Sequence, residues 1–276
     1  MSADWTVDPA FRIVPVRSRT SASRHSAILG RVDEVQVVVA HSERATLRVG
    51  DVFLKVDGDP ARLDAEAEAM AAAPIPTAPI LWRKPSVIAL GALPGEALGR
   101  LGEPSPASPA AWAAAGAAVR TLHDAPPPAR PGRRADSRVR AELESECELL
   151  VANGMLPADL VARNRAVAEA AFRPFTPVFA HGDLQITHVF TDDDRVTGVL
   201  DWSEAGHGDP MFDIATLTLG HEDRLADVLA GYGPADGAAI RAWWSLRSLL
   251  NVRWLAEHGF DPFAAGCEVD VLKSRM

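Results

Sequence analysis

Residues 181–202 read HGDLQITHVFTDDDRVTGVLDW. Two histidines, a glycine and an aspartate fall within the first eight positions, and the stretch then turns apolar. HVFT and RVTGVLD are β-type runs on either side of an Asp-rich turn, the pattern of a hairpin. A hairpin brings the start of its first strand beside the end of its second. That predicts His188 next to Asp201, with Asp183 in the loop just before. Three polar side chains then meet at one end of an otherwise apolar ribbon. Burying them costs free energy unless a ligand, a metal or a hydrogen-bond network satisfies them.

Phosphoryl transfer is a chemistry that uses such a set. It needs a carboxylate to take the proton of an acceptor hydroxyl, and oxygen-rich ligands that hold Mg²⁺ against nucleotide phosphates. Asp183 is the candidate base and Asp201 the candidate metal ligand, and His188 lies five positions after Asp183. Five is the spacing between base and metal ligand in protein-kinase catalytic loops. Gly182 would keep the approach to the carboxylate open. The competing reading is a structural network at a strand end, with the histidines capping carbonyls.

Before this stretch the chain changes character. DEVQVVVAHSERATLRVGDVFLKVD carries β-branched runs around HSER and a VGD turn. Asp59 and Pro60 then form an N-cap and first helical position for ARLDAEAEAMAAA, and strands follow at ILWR and VIAL. GALPGEALGRLGEPSPASP is rich in Gly and Pro and reads as a flexible joint between lobes. Helices are expected after Ser108-Pro109, over ADSRVRAELESECELLVANG and over AIRAWWSLRSLLNVRWLAEHG. The expected fold is α+β, with a strand-rich lobe over 1–92 and a larger, mainly helical lobe over 93–276.

Lysine occurs only at 55, 84 and 273, and Lys55 lies inside the apolar strand VFLKV. A phosphate-contacting lysine held by a helix carboxylate explains that placement; a solvated lysine on an alternating strand explains it too. At ~100° per residue Glu66 shares a helix stripe with Leu63 and Met70, whereas Glu68 falls away from it. Glu66 is therefore the expected mate of Lys55. The turn AHSERAT has no glycine. Ser42 and neighbouring N–H groups could reach phosphates there, and a plain hairpin turn accounts for the stretch equally well.

Bulk properties set the frame. A formal net charge of −9 over 276 residues argues against a nucleic-acid partner, because phosphate backbones want a basic footprint. Cys147 and Cys267 match no zinc or redox spacing, which fits a reducing cytoplasm. MSADWTVDPAFR lacks the pattern of a signal peptide, and no apolar run approaches a membrane span.

HGDL followed by VLDWSEAGHGDPMFDIATL resembles the aminoglycoside phosphotransferases and related small-molecule kinases. Their pattern is H-G-D-x-x-x-x-N, a hydrophobic-Asp-aromatic strand, then G-D-P-x-x-D-x-A. Weaker likenesses are FLKV, AEAEAM, LPGEAL and VRTLHDAPP. The resemblance implies a protein-kinase-like bilobal fold, ATP or GTP as donor, Mg²⁺, and a small-molecule hydroxyl as acceptor, aminoglycoside-like antibiotics among the candidates. It implies adenine hydrogen bonds from about Gly91 and Leu93, and structural roles for Asp209 and Asp213. It also points to Glu66 in the REAEAL-like helix. A monomer or weak dimer is expected. Glu204, Glu222, Asp223, Trp243, Trp244, Glu257 and the tail GCEVDVLKSRM are candidate walls of the acceptor site, and acidic residues there would suit a cationic acceptor.

One position departs from the pattern: His188 stands where the family has Asn. A neutral imidazole suits Mg²⁺ less well than an amide oxygen, so Mn²⁺ or a water-mediated contact enters the expectation. Two other readings stay open. One is a metal-dependent hydrolase using His181, Asp183, His188, Asp201, His207 and Asp209. The other is a catalytically weak nucleotide-binding relative.

Overall fold

The computed structural model describes residues 34–40, 43–132 and 136–274. Ser42 lies outside the described residues. The chain divides into two compact units. One comprises the described residues up to Ala67 together with Ala78–Ala92, and the other comprises Glu68–Thr77 together with the chain from Leu93 onward.

The first unit is built on an antiparallel sheet. Strands β1 (Val35–Ala40), β2 (Arg44–Val49), β3 (Val52–Asp57), β4 (Ile80–Lys84) and β5 (Val87–Gly91) lie in the order β1-β2-β3-β5-β4. Gly50 turns β2 into β3 at φ +60°, which its missing Cβ permits. The helix α1 (Pro60–Ala72) follows, with the Ala61 N–H donating 3.0 Å to Asp59 Oδ1. Asp59 thus caps the helix where the Asp-Pro pair predicts it.

The second unit is mainly helical: α2 (Pro109–Asp124), α3 (Asp136–Ala152), α4 (Ala158–Ala168), α5 (Pro210–Thr218), α6 (Leu225–Tyr232), α7 (Gly237–Glu257) and α8 (Glu268–Lys273). Ser108 caps α2 by accepting from the Ala111 N–H at 3.1 Å. Trp112, Val119 and Leu122 are buried on one face of that helix, as their spacing requires. Two small sheets complete the unit. β6 (Glu96–Ala97), β8 (Val189–Asp192) and β9 (Arg195–Val199) form one, and β7 (Val178–Ala180) pairs with β10 (Gly206–Gly208) in the other.

The Gly/Pro-rich passage is more structured than its composition suggests. Glu96 and Ala97 pair with Thr191 and Phe190 of β8, and Leu98 is fully buried, its N–H donating to Val189 O at 2.9 Å. A two-residue strand is too short to show any periodicity, so nothing in the sequence announces it.

Candidate active site

The β8–β9 hairpin forms as its sequence requires. Asp193 and Asp194 occupy the turn at φ +43° and +60°, the left-handed conformation that a tight hairpin turn demands and that Asp tolerates. Val189 pairs with Val199, and the Leu200 N–H donates 2.9 Å to His188 O. This register sets His188 beside the end of β9. Ligand-type atoms of Asp183, His188 and Asp201 lie within 4.8 Å of one another. Among the described residues this is the one such set of His, Cys, Asp and Glu.

Each member is held by its own surroundings. Asp201 sits at φ +60°, an uncommon conformation for a non-glycine residue, and its Oδ1 accepts from Ser203 Oγ at 3.0 Å. Such a conformation persists only where the surroundings enforce it. His188 Nδ1 lies 2.8 Å from the Asp183 carbonyl, which can only accept. Nδ1 therefore carries the proton, and Nε2 is the nitrogen left with a lone pair. Asp183 Oδ1 accepts from Gln185 Nε2 at 2.9 Å and lies 3.5 Å from Arg247 Nη2 on α7.

His181 is a brace. Its Nε2 donates 2.9 Å to Leu200 O, and its Nδ1 accepts from the Asp183 N–H at 3.2 Å. Its ring packs edge-on to Trp202 at 4.7 Å. Burial holds its pKa below the ordinary histidine value, which matches a neutral ring with one donor and one acceptor.

A second brace comes from α5. Asp213 is fully buried, and its two oxygens accept from the backbone N–H groups of His181 at 2.7 Å and Gly182 at 2.9 Å. His123 Nε2 on α2 reaches the same carboxylate at 3.1 Å. Burial alone would raise the Asp213 pKa, but the His123 hydrogen bond and charge overcome it and hold it below the usual carboxylate value. Asp209 caps α5 through the Met211 N–H, pairs with Arg173 Nη1 at 2.7 Å and accepts from Trp243 Nε1 at 2.7 Å. Both acids are thus structural.

The larger His/Asp set of a hydrolase does not come together. The ring nitrogens of His181 and the carboxylate oxygens of Asp209 are committed as described, and His207 Nδ1 donates to Pro128 O at 3.2 Å. Trp243 and Trp244 are core residues, their indole N–H groups satisfied within the helical unit. Trp243 also lines a cavity with Gly182, Glu204 and Phe212.

In the first unit Lys55 Nζ meets Glu66 Oε1 at 2.6 Å, with Glu66 fully buried and Glu68 exposed. The Gly91 N–H donates to Pro79 O at 2.9 Å, which leaves only its carbonyl to serve a ligand. Leu93 packs its Cδ atoms against Gly198, where any Cβ would fall 2.3 Å away. Gln185 and Arg247 were not among the residues expected from sequence, and Glu268 entered only as part of the tail GCEVDVLKSRM. Gln185 lay inside the decisive motif. Arg247 could have been found as a lone cation on the apolar run of α7.

A family model described as the phosphotransferase enzyme family matches residues 35–249. The chain belongs to this family. Phosphotransfer is its class of chemistry.

Solved structures show the same fold. One is a choline/ethanolamine kinase family protein from Mesorhizobium loti, at 21% identity and TM-score 0.63, covering 91% of this chain and 90% of that one. A macrolide 2'-phosphotransferase from Brachybacterium faecium matches at 20% identity and TM-score 0.58, covering 86% and 90%. An aminoglycoside phosphotransferase from Streptomyces rimosus matches at 25% identity and TM-score 0.56, covering 77% and 91%. In sequence, an uncharacterised protein of Bacillus subtilis (strain 168) is 34% identical over 87 residues, which span 31% of this phosphotransferase and 28% of that protein. No described helix of the phosphotransferase is long and apolar enough to cross a membrane.

Proposed function

We propose that this phosphotransferase moves the γ-phosphate of ATP or GTP to a hydroxyl of a small molecule, with Asp183 as the catalytic base. The observation that carries the reading is the convergence of Asp183, His188 and Asp201 at the end of the hairpin. Asp183 Oδ1 is occupied by Gln185, so Oδ2 is the oxygen that takes the acceptor proton. As that proton leaves, the acceptor oxygen bonds to the γ-phosphorus, the bond to the β–γ bridging oxygen breaks, and the nucleoside diphosphate departs.

The donor set of two carboxylates and an imidazole nitrogen fits a divalent cation. Asp201 and His188 Nε2 would hold Mg²⁺ or Mn²⁺, which supplies neutralisation of phosphate charge. Lys55, fixed by Glu66, contacts the α- and β-phosphates, and the backbone near Gly91 and Leu93 receives the base. The two free cysteines suit a reducing cytoplasm, and the enzyme works as a monomer or weak dimer.

The test is a nucleotide-consumption assay with ATP and GTP against amino alcohols, macrolides and aminoglycosides, the acceptor classes carried by the names of the similar structures. Asp183→Asn should lower kcat by ~10²–10⁴. It should leave stabilisation by nucleotide and Mg²⁺ largely intact. Full turnover in this variant would remove Asp183 from the role.

A further inference from the structure

Helix α7 is buried along most of its length, yet it carries an arginine among its core residues. Arg247 is only 7% exposed. A guanidinium in that position needs countercharge, and two carboxylates from different elements supply it. Nη2 lies 3.5 Å from Asp183 Oδ1 in the catalytic loop, and Nη1 lies 3.5 Å from Glu268 Oε1 on α8. Among the described residues Arg247 Nε has no hydrogen-bond partner.

This arrangement differs from the structural arginines of the same unit. Arg173 gives Asp209 a forked pair at 2.7 and 3.2 Å, with Asp236 as a second partner at 3.1 Å. Arg253 likewise spends two nitrogens on Glu146, with Glu257 as a second partner at 2.6 Å. A guanidinium placed for stability commonly closes its fork on one carboxylate. Arg247 closes a fork on neither of its carboxylates and holds the candidate base and a buried glutamate at 3.5 Å each.

Glu268 is itself carefully placed. Asn164 on α4 donates to Leu272 O at 3.0 Å and accepts from Ser245 Oγ of α7 at 2.9 Å. These buried contacts dock α8 against α4 and α7 and set Glu268 opposite Arg247. The second carboxylate draws the guanidinium from one side and keeps it from collapsing into a closed pair with Asp183. We propose that Arg247, anchored by Glu268, is a positioning residue that orients the Asp183 carboxylate, fixing Oδ1 so that Oδ2 faces the acceptor hydroxyl. The proposal rests on Asp183 being the base.

The test uses the full chain and measures phosphate transfer to the acceptor found in the panel, or to water. Arg247→Lys keeps the charge and loses the fork, and should lower kcat by ~10–100-fold, the cost of a misplaced reacting group. The KM for nucleotide and for acceptor should stay within about twofold, the mark of an effect confined to the reacting step. Glu268→Gln should cause a smaller fall of the same kind. Arg247→Met alone strands Glu268 in the core and is expected to fold poorly. The pair Arg247→Met/Glu268→Met removes both charges and should recover thermal stability while kcat stays low.

Recovery of kcat together with stability in the double variant would show a purely structural role and overturn the proposal. A rise in acceptor KM at unchanged kcat would overturn it as well, by making Arg247 a binding residue. Loss of activity in Asp183→Asn with full kcat in all Arg247 variants would overturn the positioning role alone. Full activity in Asp183→Asn would instead overturn the reading of the base.

Discussion

Replacing Gly182 by alanine tests how the catalytic loop is built. Gly182 has φ +82°, and its N–H donates 2.9 Å to buried Asp213 Oδ1. A Cβ added there would lie 2.4 Å from Glu204 O and 2.9 Å from its carbonyl carbon. Those are backbone atoms, so no flexible side chain can give way. The left-handed conformation costs a non-glycine residue roughly 1–2 kcal/mol, and displacing packed backbone costs about 1–3 kcal/mol more. The sum is on the order of 2–5 kcal/mol, which at about 2–4 °C per kcal/mol lowers Tm by roughly 5–20 °C. Escape to negative φ would turn the N–H away from Asp213 and exchange one loss for another.

Gly154→Ala is the matched control. Gly154 ends α3 at φ +65°, but a Cβ there meets nothing within 4 Å. Only the conformational cost remains, partly offset by the reduced freedom of the unfolded chain, so the shift should be about 1 kcal/mol or less. Thermal denaturation of both variants, with kcat measured alongside, separates backbone strain from the clash. Because Asp183 follows Gly182 directly, kcat of Gly182→Ala should fall ~10–100-fold. A Tm loss no larger than that of Gly154→Ala, or an unchanged kcat, would refute the argument that Glu204 dictates glycine here.

Other perturbations follow from the same geometry. Lys55→Met should abolish most of the thermal stabilisation by nucleotide and also destabilise the ligand-free protein, since it removes the 2.6 Å ion pair of buried Glu66; an undiminished nucleotide shift would remove Lys55 from the phosphate site. His188→Asn should move the metal preference of turnover from Mn²⁺ toward Mg²⁺, read as the ratio of kcat values with the two ions; an unchanged ratio would show that His188 holds no metal. Asp213→Asn should cost about 2–4 kcal/mol through weakened charge-assisted hydrogen bonds. The folded-state pKa of Asp213 lies below its ordinary value of 3.8, so its contribution is present above that pH and is lost as pH falls through the folded value. The stability gap between parent and Asp213→Asn should thus narrow as pH falls below about pH 4; a gap that widened below that pH would contradict the assignment.

What the sequence made legible is what short-range chemistry encodes. The hairpin needed two β-type runs and turn residues able to take positive φ, and Asp193 and Asp194 supply them. The Lys55–Glu66 pair followed from helical periodicity, because the stripe of Leu63 and Met70 points inward and carries Glu66 with it. The long-range partners of Asp213 and Asp183 were not legible. His123 meets Asp213 across 90 residues of sequence, and Arg247 meets Asp183 across 64. Nothing local marks such partners, since each is decided by how α2, α5 and α7 dock. The strand beside Leu98 was hidden for the opposite reason. The glycines and prolines around it signal a joint, but Gly95 at φ +79° lets the backbone lie against Thr191, where any Cβ would clash at 2.0 Å.

His188 illustrates how the loop constrains its own chemistry. The position must donate a hydrogen bond to the Asp183 carbonyl and also present a lone pair to the neighbouring carboxylates' side. An asparagine meets both demands with its NH₂ and its oxygen. A neutral histidine also meets both, donating from Nδ1 and offering Nε2, and the 2.8 Å contact to Asp183 O fixes that tautomer. Most residue types fail one half of this test. Lysine has no lone pair when charged, aspartate has no donor when ionised, and leucine has neither. The histidine therefore keeps the hydrogen bond that shapes the loop and, on the proposed metal role, would change only the ligand atom, from a hard oxygen to a softer nitrogen. On the proposed roles of Asp183 and His188, the departure from the family pattern would preserve the architecture around the base and shift its consequences onto the metal.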